Sequence, residues 1–432
     1  MTDLYELTMA DAYFREGMTE PATFELWVRH LAAERNFLLA AGLEDALDFL
    51  EDLRFDERAI AYLETLDRFS TGFLDHLRDL RFEGDVWAVP EATVVFAAEP
   101  ILRVTAPLIQ AQILETFLLN AVGLQTLIAS KAARVHIAAA GHDFVDFGAR
   151  RSHGADAALK GARAAYIAGA SATSLVAAGF HYGIPVAGTM AHSYVLAHDD
   201  ERAAFDAFAR AFPNDAVLLI DTYDTVEGAR IVAEIAPRLG EEGITVSAVR
   251  LDSGDLAALA REVRHVLDTA GLAAIRILAS GGLDEHRITE LLAAGAPIDG
   301  FGVGTSMMTS SDAPSLDVIY KLVHDSAGPV MKTSPGKANL PGIKQVFRKG
   351  DGDVIALEDE PIEGRPLLTQ VVAGGRRTRT SPALASIRDS AIAAIDALPT
   401  ELRRLDGPAE PPWRVDRSTR LQTLADELSS QH

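Results

Sequence analysis

Residues 275–306 read IRILASGGLDEHRITELLAAGAPIDGFGVGTS. An apolar run ends in Ser280, Gly281 and Gly282, an alanine- and leucine-rich helical pattern follows, and a second apolar run ends in Gly302, Gly304 and Thr305. The same unit recurs upstream, where the run ends are FVDFGARRSHG (144–154), IPVAGTMAHS (184–193), VLLIDTYDT (217–225) and VSAVRLDSGD (246–255). Apolar runs alternating with helical segments predict parallel strands joined by helical crossovers, and six such units favour a barrel over an open sheet. In a barrel the chemistry gathers at the strand ends, which is where the polar residues stand here.

This pattern occupies residues 108–330. Before it, residues 1–107 are mixed: RNFLLAAGLEDALDFLEDL has helical spacing, and DVWAVPEATVVFAAEPILRVTA alternates like strands interrupted by Pro90 and Pro100. Pro107 is placed as at a helix start and opens a long apolar helical pattern. Residues 331–432 form a third region with glycine and proline turns and an amphipathic helix from about Ser418. Its first part holds Lys332, Lys337, Lys344, Arg348 and Lys349, with no acidic residue between Met331 and Lys349.

Composition narrows the function. The 432 residues are 48% hydrophobic and 24% charged, as in globular proteins. A net charge of −22 disfavours nucleic acid and anionic membranes as partners, so an anionic substrate needs a local basic pocket. Cysteine is absent, which removes disulfides, thiolate metal sites and a cysteine nucleophile. Asp3 and Glu6 stand where a signal peptide is basic, and no apolar run is expected to approach membrane-spanning length, so a cytoplasmic location is expected.

The strand-end residues suggest anion chemistry. Two successive glycine-rich ends, Ser280-Gly281-Gly282 and Gly302 to Thr305, suit backbone N–H groups cradling a phosphate, although tight turns alone also use such glycines. Arg250 suits a carboxylate or phosphate, and Asp252 a sugar hydroxyl or a water-mediated Mg²⁺, although a solvated rim has the same composition. Phe147, Arg150 and Arg151 add an aromatic ring and further cations, and Asp221 and Asp224 add acids. His192, beside Ser193, offers a neutral imidazole that can accept a phosphoryl group or act as a general base, and spacing does not separate these roles.

Taken together, TDLYELTMADAYF (2–14), PLIQAQILETFLLNAVGLQTLIASKAAR (107–134), FGARRSHGADAALKGARAAYIAGA (147–170), HYGIPVAGTMAHSYV (181–195), RLDSGDL (250–256), FGVGTS (301–306) and PGKANLPGIKQVFR (335–348) resemble the nicotinate phosphoribosyltransferases. The resemblance implies an irregular parallel α/β barrel of the type II phosphoribosyltransferase kind, with an α/β sandwich domain made from both termini. It implies a homodimer with shared active sites and conversion of nicotinate, phosphoribosyl pyrophosphate and ATP to nicotinate mononucleotide, pyrophosphate, ADP and phosphate, with Mg²⁺. It casts His192 as the phosphorylated residue, with Ser193 assisting, and gives the nicotinate carboxylate to Arg250. Tyr5 from the partner subunit and Phe147 sandwich the pyridine ring, while Arg150 and Arg151 line the ring and pyrophosphate region. Asp221 and Asp252 address ribose and metal. Ser280, Gly281, Gly282, Gly302, Gly304 and Thr305 hold the 5′-phosphate. Ser171 replaces an acid common in relatives, which agrees with an acidic substrate, and Asn339 replaces a common threonine. The rival readings are a nicotinamide phosphoribosyltransferase, a quinolinate-decarboxylating enzyme, and a non-catalytic nucleotide sensor on the same fold.

Overall fold

A computed structural model describes residues 1–334, 337 and 339–430, so Pro335, Gly336 and Ala338 of the PGKANLPGIKQVFR motif lie outside the described residues. The chain forms two compact units, one of Met1–Ser130 with the chain from Ser315 onward, the other of Lys131–Pro314. Limits at 107 and 330 were expected. The difference has a packing cause, since Leu108, Ile109, Leu114, Leu118 and Val122 join the core of the first unit and Val318–Asp325 pairs along Pro21–Val28.

The second unit is built on a curled half-barrel of six parallel strands. Across the sheet they run Ala172–Thr173, Asp143–Asp146, Gly300–Val303, Arg276–Ala279, Val246–Leu251 and Ala216–Leu219. Strands covered on both faces need continuous apolar sequence, and Gly300–Val303 is buried throughout. The crossovers are helices, among them Ala155–Ile167, Thr225–Glu241, Leu256–Thr269 and Glu285–Ala293. Asp224, Asp255 and Asp284 cap three of them by accepting the backbone N–H of Glu227, Ala258 and Arg287. One expected strand is displaced: the run 184–186 makes only a bridge between Val186 and Thr173, and the strand at that place is Ala172–Thr173. Pro185 has no N–H to extend a ladder, so pairing stops after Thr173 N–H on the Pro185 carbonyl and Ala187 N–H on the Thr173 carbonyl, each at 3.0 Å.

The first unit draws on both ends of the chain, as expected. Its seven-stranded sheet places Pro21–Val28 between Val318–Asp325 and Pro100–Pro107, both antiparallel to it. Leu26, Leu102, Val104 and Tyr320 are almost fully buried in its core, where the Tyr320 ring stacks on Phe24 at 5.0 Å and its hydroxyl donates to the Ala111 carbonyl at 3.0 Å. Lys344 and Arg348 of the basic run serve this unit internally. Lys344 Nζ pairs with buried Glu25 at 2.9 Å, and Arg348 holds buried Asp353 at 2.7 Å. The final helix, Thr419–Ser429, starts at Ser418, whose hydroxyl accepts the Leu421 N–H. The expectation about apolar runs is corrected: Leu108–Ala139 is long and apolar enough to cross a membrane by length and composition, and 67% of its most apolar stretch is buried inside the protein, as in a core helix.

Candidate active site

A cavity of about 660 Å³ opens at the ends of the parallel strands. Phe147, Arg150, Arg151, Arg250 and Asp252 line it, together with Ser280, Gly281, Gly282, Gly302, Gly304 and Thr305. Residues from four separate strand ends therefore converge, as the barrel reading required.

Arg250 organises the floor. Nη1 donates to Asp252 Oδ1 and to Ser280 Oγ, each at 2.9 Å, Nε donates to Thr189 Oγ1 at 3.0 Å, and Nη2 donates to the Met190 carbonyl at 3.0 Å. One guanidinium thus ties two strand ends to the segment that leads into His192, and most of its five N–H groups are engaged before any ligand arrives. Burial, with Arg150 nearby, lowers its pKa from the ordinary arginine range, opposed by Asp252 and Asp221.

Asp221 and Asp252 differ in environment. The Asp221 side chain is 1% exposed and its Oδ2 accepts the Asp252 N–H at 3.0 Å and the Ser253 hydroxyl at 2.6 Å. Its Oδ1 is buried and accepts no hydrogen bond among the described residues. Asp252 faces the cavity, with Oδ1 held by Arg250 and the Ser280 hydroxyl. His192 opens the helix His192–Leu196 beside this pair; it follows Ala191, which lines the cavity, but does not itself line it. Its Nδ1 lies 3.2 Å from Thr222 Oγ1, and its Nε2 lies 3.9 Å from Asp221 Oδ1 and 4.0 Å from Asp252 Oδ2. Asp252 in turn packs on the Ser280-Gly281-Gly282 turn, its carbonyl so close to Gly281 that a Cβ there would come within 1.9 Å.

The glycines divide by function. Gly281 and Gly282 have φ of +88° and +63°, the left-handed region that glycine tolerates. Gly302 instead makes room for an aromatic ring: a Cβ would meet Phe147 Cδ2 at 2.4 Å and Cε2 at 2.5 Å. Gly304 lies against the Phe147 carbonyl, where a Cβ would approach to 3.1 Å. Phe147 is thereby seated against the end of the neighbouring strand, with its own N–H on the Val303 carbonyl at 2.8 Å.

Several expected residues are placed elsewhere. Ser193 is exposed and does not line the cavity. Asp224 is a helix cap. Ser171 also lies outside the lining, and its hydroxyl donates to the Phe144 carbonyl at 3.1 Å. Tyr5 belongs to the first unit, on the helix Leu4–Glu16, with burial and then Glu115 raising its pKa above the ordinary phenol range. Thr189, Thr222 and Ser174 were not singled out from sequence, although the first two stand inside the quoted motifs GTMAHS and IDTYD. A hydroxyl of this kind gains meaning only when the fold supplies its partner.

Known proteins resemble this chain over most of its length. The family described as the nicotinate phosphoribosyltransferase (NAPRTase) N-terminal domain matches residues 1–123, and the nicotinate phosphoribosyltransferase (NAPRTase) family matches residues 142–329. Nicotinate phosphoribosyltransferase pncB2 of Mycobacterium tuberculosis is 53% identical over 412 residues, covering 94% of this chain and 88% of that protein. Nicotinate phosphoribosyltransferase of Bacillus subtilis is 43% identical over 382 residues, covering 85% and 78%. The crystal structure of human nicotinic acid phosphoribosyltransferase superimposes with a TM-score of 0.87 at 31% identity, covering 99% of each chain. Cavity, arginine framework and sequence likeness converge: the chain belongs to the nicotinate phosphoribosyltransferase family.

Proposed function

We propose that the protein joins nicotinate to the ribose of phosphoribosyl pyrophosphate while ATP phosphorylates His192, and that phosphohistidine hydrolysis drives product accumulation. The observation that carries the reading is the posture of His192. Thr222 lies within hydrogen-bonding distance of Nδ1, and Nε2 lies about 4 Å from Asp221 and from Asp252, the second of which lines the cavity. A neutral imidazole nitrogen in that posture is a nucleophile toward a terminal phosphoryl group.

Departure of pyrophosphate from C1′ builds positive charge on the sugar, so groups that steady the leaving diphosphate dominate the barrier. Arg150 and Arg151 supply cations there, on a turn exposed to the cavity. Phe147 offers its ring face to the pyridine, and Arg250 offers its remaining N–H to the nicotinate carboxylate. The glycine turns suit the 5′-phosphate.

The acid pair fits Mg²⁺. Asp221 Oδ1 is a buried oxygen lacking a donor and Asp252 stands beside it, and magnesium takes one or two carboxylates with the rest of its shell from phosphate oxygens and water. Bound there, it would neutralise charge on the diphosphate and on ATP. Asp252 would hold it through water. The family resemblance further implies a homodimer in which Tyr5 of one subunit completes the pyridine site of the other, and we carry that arrangement into the proposal.

The test combines labelled ATP with residue mapping. Acid-labile phosphate on His192, ADP release stimulated by nicotinate and phosphoribosyl pyrophosphate, and loss of both in His192→Ala with weak ATP-independent transfer retained, are expected. Undiminished ATPase in that variant overturns the phosphohistidine. Turnover with nicotinamide equal to that with nicotinate overturns the acid preference.

A further inference from the structure

We propose that Asp146 is a positioning residue for nicotinate, a buried brace that fixes the Phe147 loop against the segment carrying Ser174. The inference rests on the reading that Phe147 stacks on the pyridine ring. Asp146 ends the strand Asp143–Asp146 and is 1% exposed. Its Oδ1 accepts the Gly148 N–H at 2.8 Å, closing the turn that carries Phe147 and leads into Ala149–Arg151. Its Oδ2 accepts the Thr173 hydroxyl at 2.7 Å, and its backbone carbonyl accepts the Ser174 N–H at 2.8 Å.

Thr173 extends the brace. Its Oγ1 accepts the Leu175 N–H at 3.1 Å, and its backbone bridges to Pro185 and Ala187, next to Gly188 and Thr189 of the cavity wall. One carboxylate therefore couples two walls of the pocket, Phe147 with Arg150 on one side and Ser174 with Gly188 on the other. No cation pairs with Asp146 among the described residues, so these donors alone compensate a buried carboxylate whose pKa burial pushes up. A strand end needs no charge for its own pairing, and a neutral residue there would avoid that cost. What the carboxylate adds is two acceptors of fixed separation, which set the loop relative to the wall.

Thr173→Val removes one donor at nearly constant shape, Asp146→Asn removes the charge, and Thr173→Ser keeps the hydroxyl. In the full-length enzyme Thr173→Val and Asp146→Asn should raise the nicotinate KM roughly tenfold, with the phosphoribosyl pyrophosphate KM rising less, by about threefold, because exposed Arg150 and Arg151 follow on the same turn, and with Thr173→Ser near wild type. Phe147→Ala is the reference. If it leaves the nicotinate KM unchanged, the stacking reading fails; if it raises that KM while Thr173→Val does not, the brace fails. Parallel shifts in both KM values, or a lower melting temperature as the sole effect, also overturn the brace, because a merely structural carboxylate does not distinguish the two substrates.

Discussion

Gly302 shows how a residue visible in sequence can carry a packing role that the sequence does not disclose. In the motif FGVGTS it looks like part of a phosphate turn, and it does line the cavity, but the space at its Cα is taken by the Phe147 ring. In Gly302→Ala the new methyl would stand 2.4 Å from Phe147 Cδ2, so the ring must swing away. The expected result is a nicotinate KM raised by about tenfold or more, at near-wild-type secondary structure and with ATP hydrolysis less affected. Phosphoribosyl pyrophosphate binding lost more severely than nicotinate binding would restore the phosphate reading of this position. The acids teach the same lesson. Asp221-x-x-Asp224 and Asp252-x-x-Asp255 are alike in sequence, yet in each pair the first member builds the site and the second caps the next helix. Residue type at a strand end was legible; the division of labour three residues apart follows from where the helix starts.

At the scale of elements, helix starts also create conflicts. The helix Glu201–Ala211 begins with Asp200 as cap and Glu201 in its first turn, and Thr225–Glu241 begins with Asp224 as cap and Glu227 in its first turn. Each acid suits its own helix dipole, but together they crowd. Burial first, then Asp224, Asp221 and Glu227, push the Glu201 carboxyl up to about 7, and its Oε1 is buried without a hydrogen-bond partner among the described residues. A folded pKa above the ordinary 4.5 means the native state holds this proton more tightly. The associated stability is therefore full below pH 4.5 and is lost as pH rises through about 7. Glu201→Gln cannot ionise, so relative to wild type it should gain on the order of 1 kcal/mol at pH 8 and little at pH 4.5. Thermal unfolding of both proteins across that range checks this, and a difference independent of pH would assign the effect to packing instead. None of this was legible from periodicity, because the crowding arises between helix ends that the sheet brings together.

At the scale of the whole molecule, what the sequence disclosed depended on contact range. The parallel unit alternates strand and helix locally, so its architecture could be read, with the exception of the two-residue strand Ala172–Thr173, too short to carry a pattern. The first unit pairs Pro21–Val28 with Val318–Asp325 across nearly the whole chain, and only the family likeness anticipated a domain assembled from both termini. That likeness also implies that Tyr5 acts on the partner subunit's site, which mixing of variants can decide. Tyr5 stands in one unit and His192 in the other, so two separately impaired proteins, Tyr5→Ala and His192→Ala, can be unfolded gently, mixed and reassembled. If Tyr5 acts across subunits, a mixed dimer holds one intact site, with His192 from the Tyr5→Ala chain and Tyr5 from the His192→Ala chain, and one doubly impaired site. Random pairing then restores about a quarter of wild-type ATP-coupled turnover. If Tyr5 acts within its own chain, every site in every mixed dimer lacks one group, and mixing gives no more than the average of the two parents. Size measurement on the same samples separates failed dimerisation from failed complementation, since a monomeric wild type would remove the shared-site reading regardless of the turnover observed.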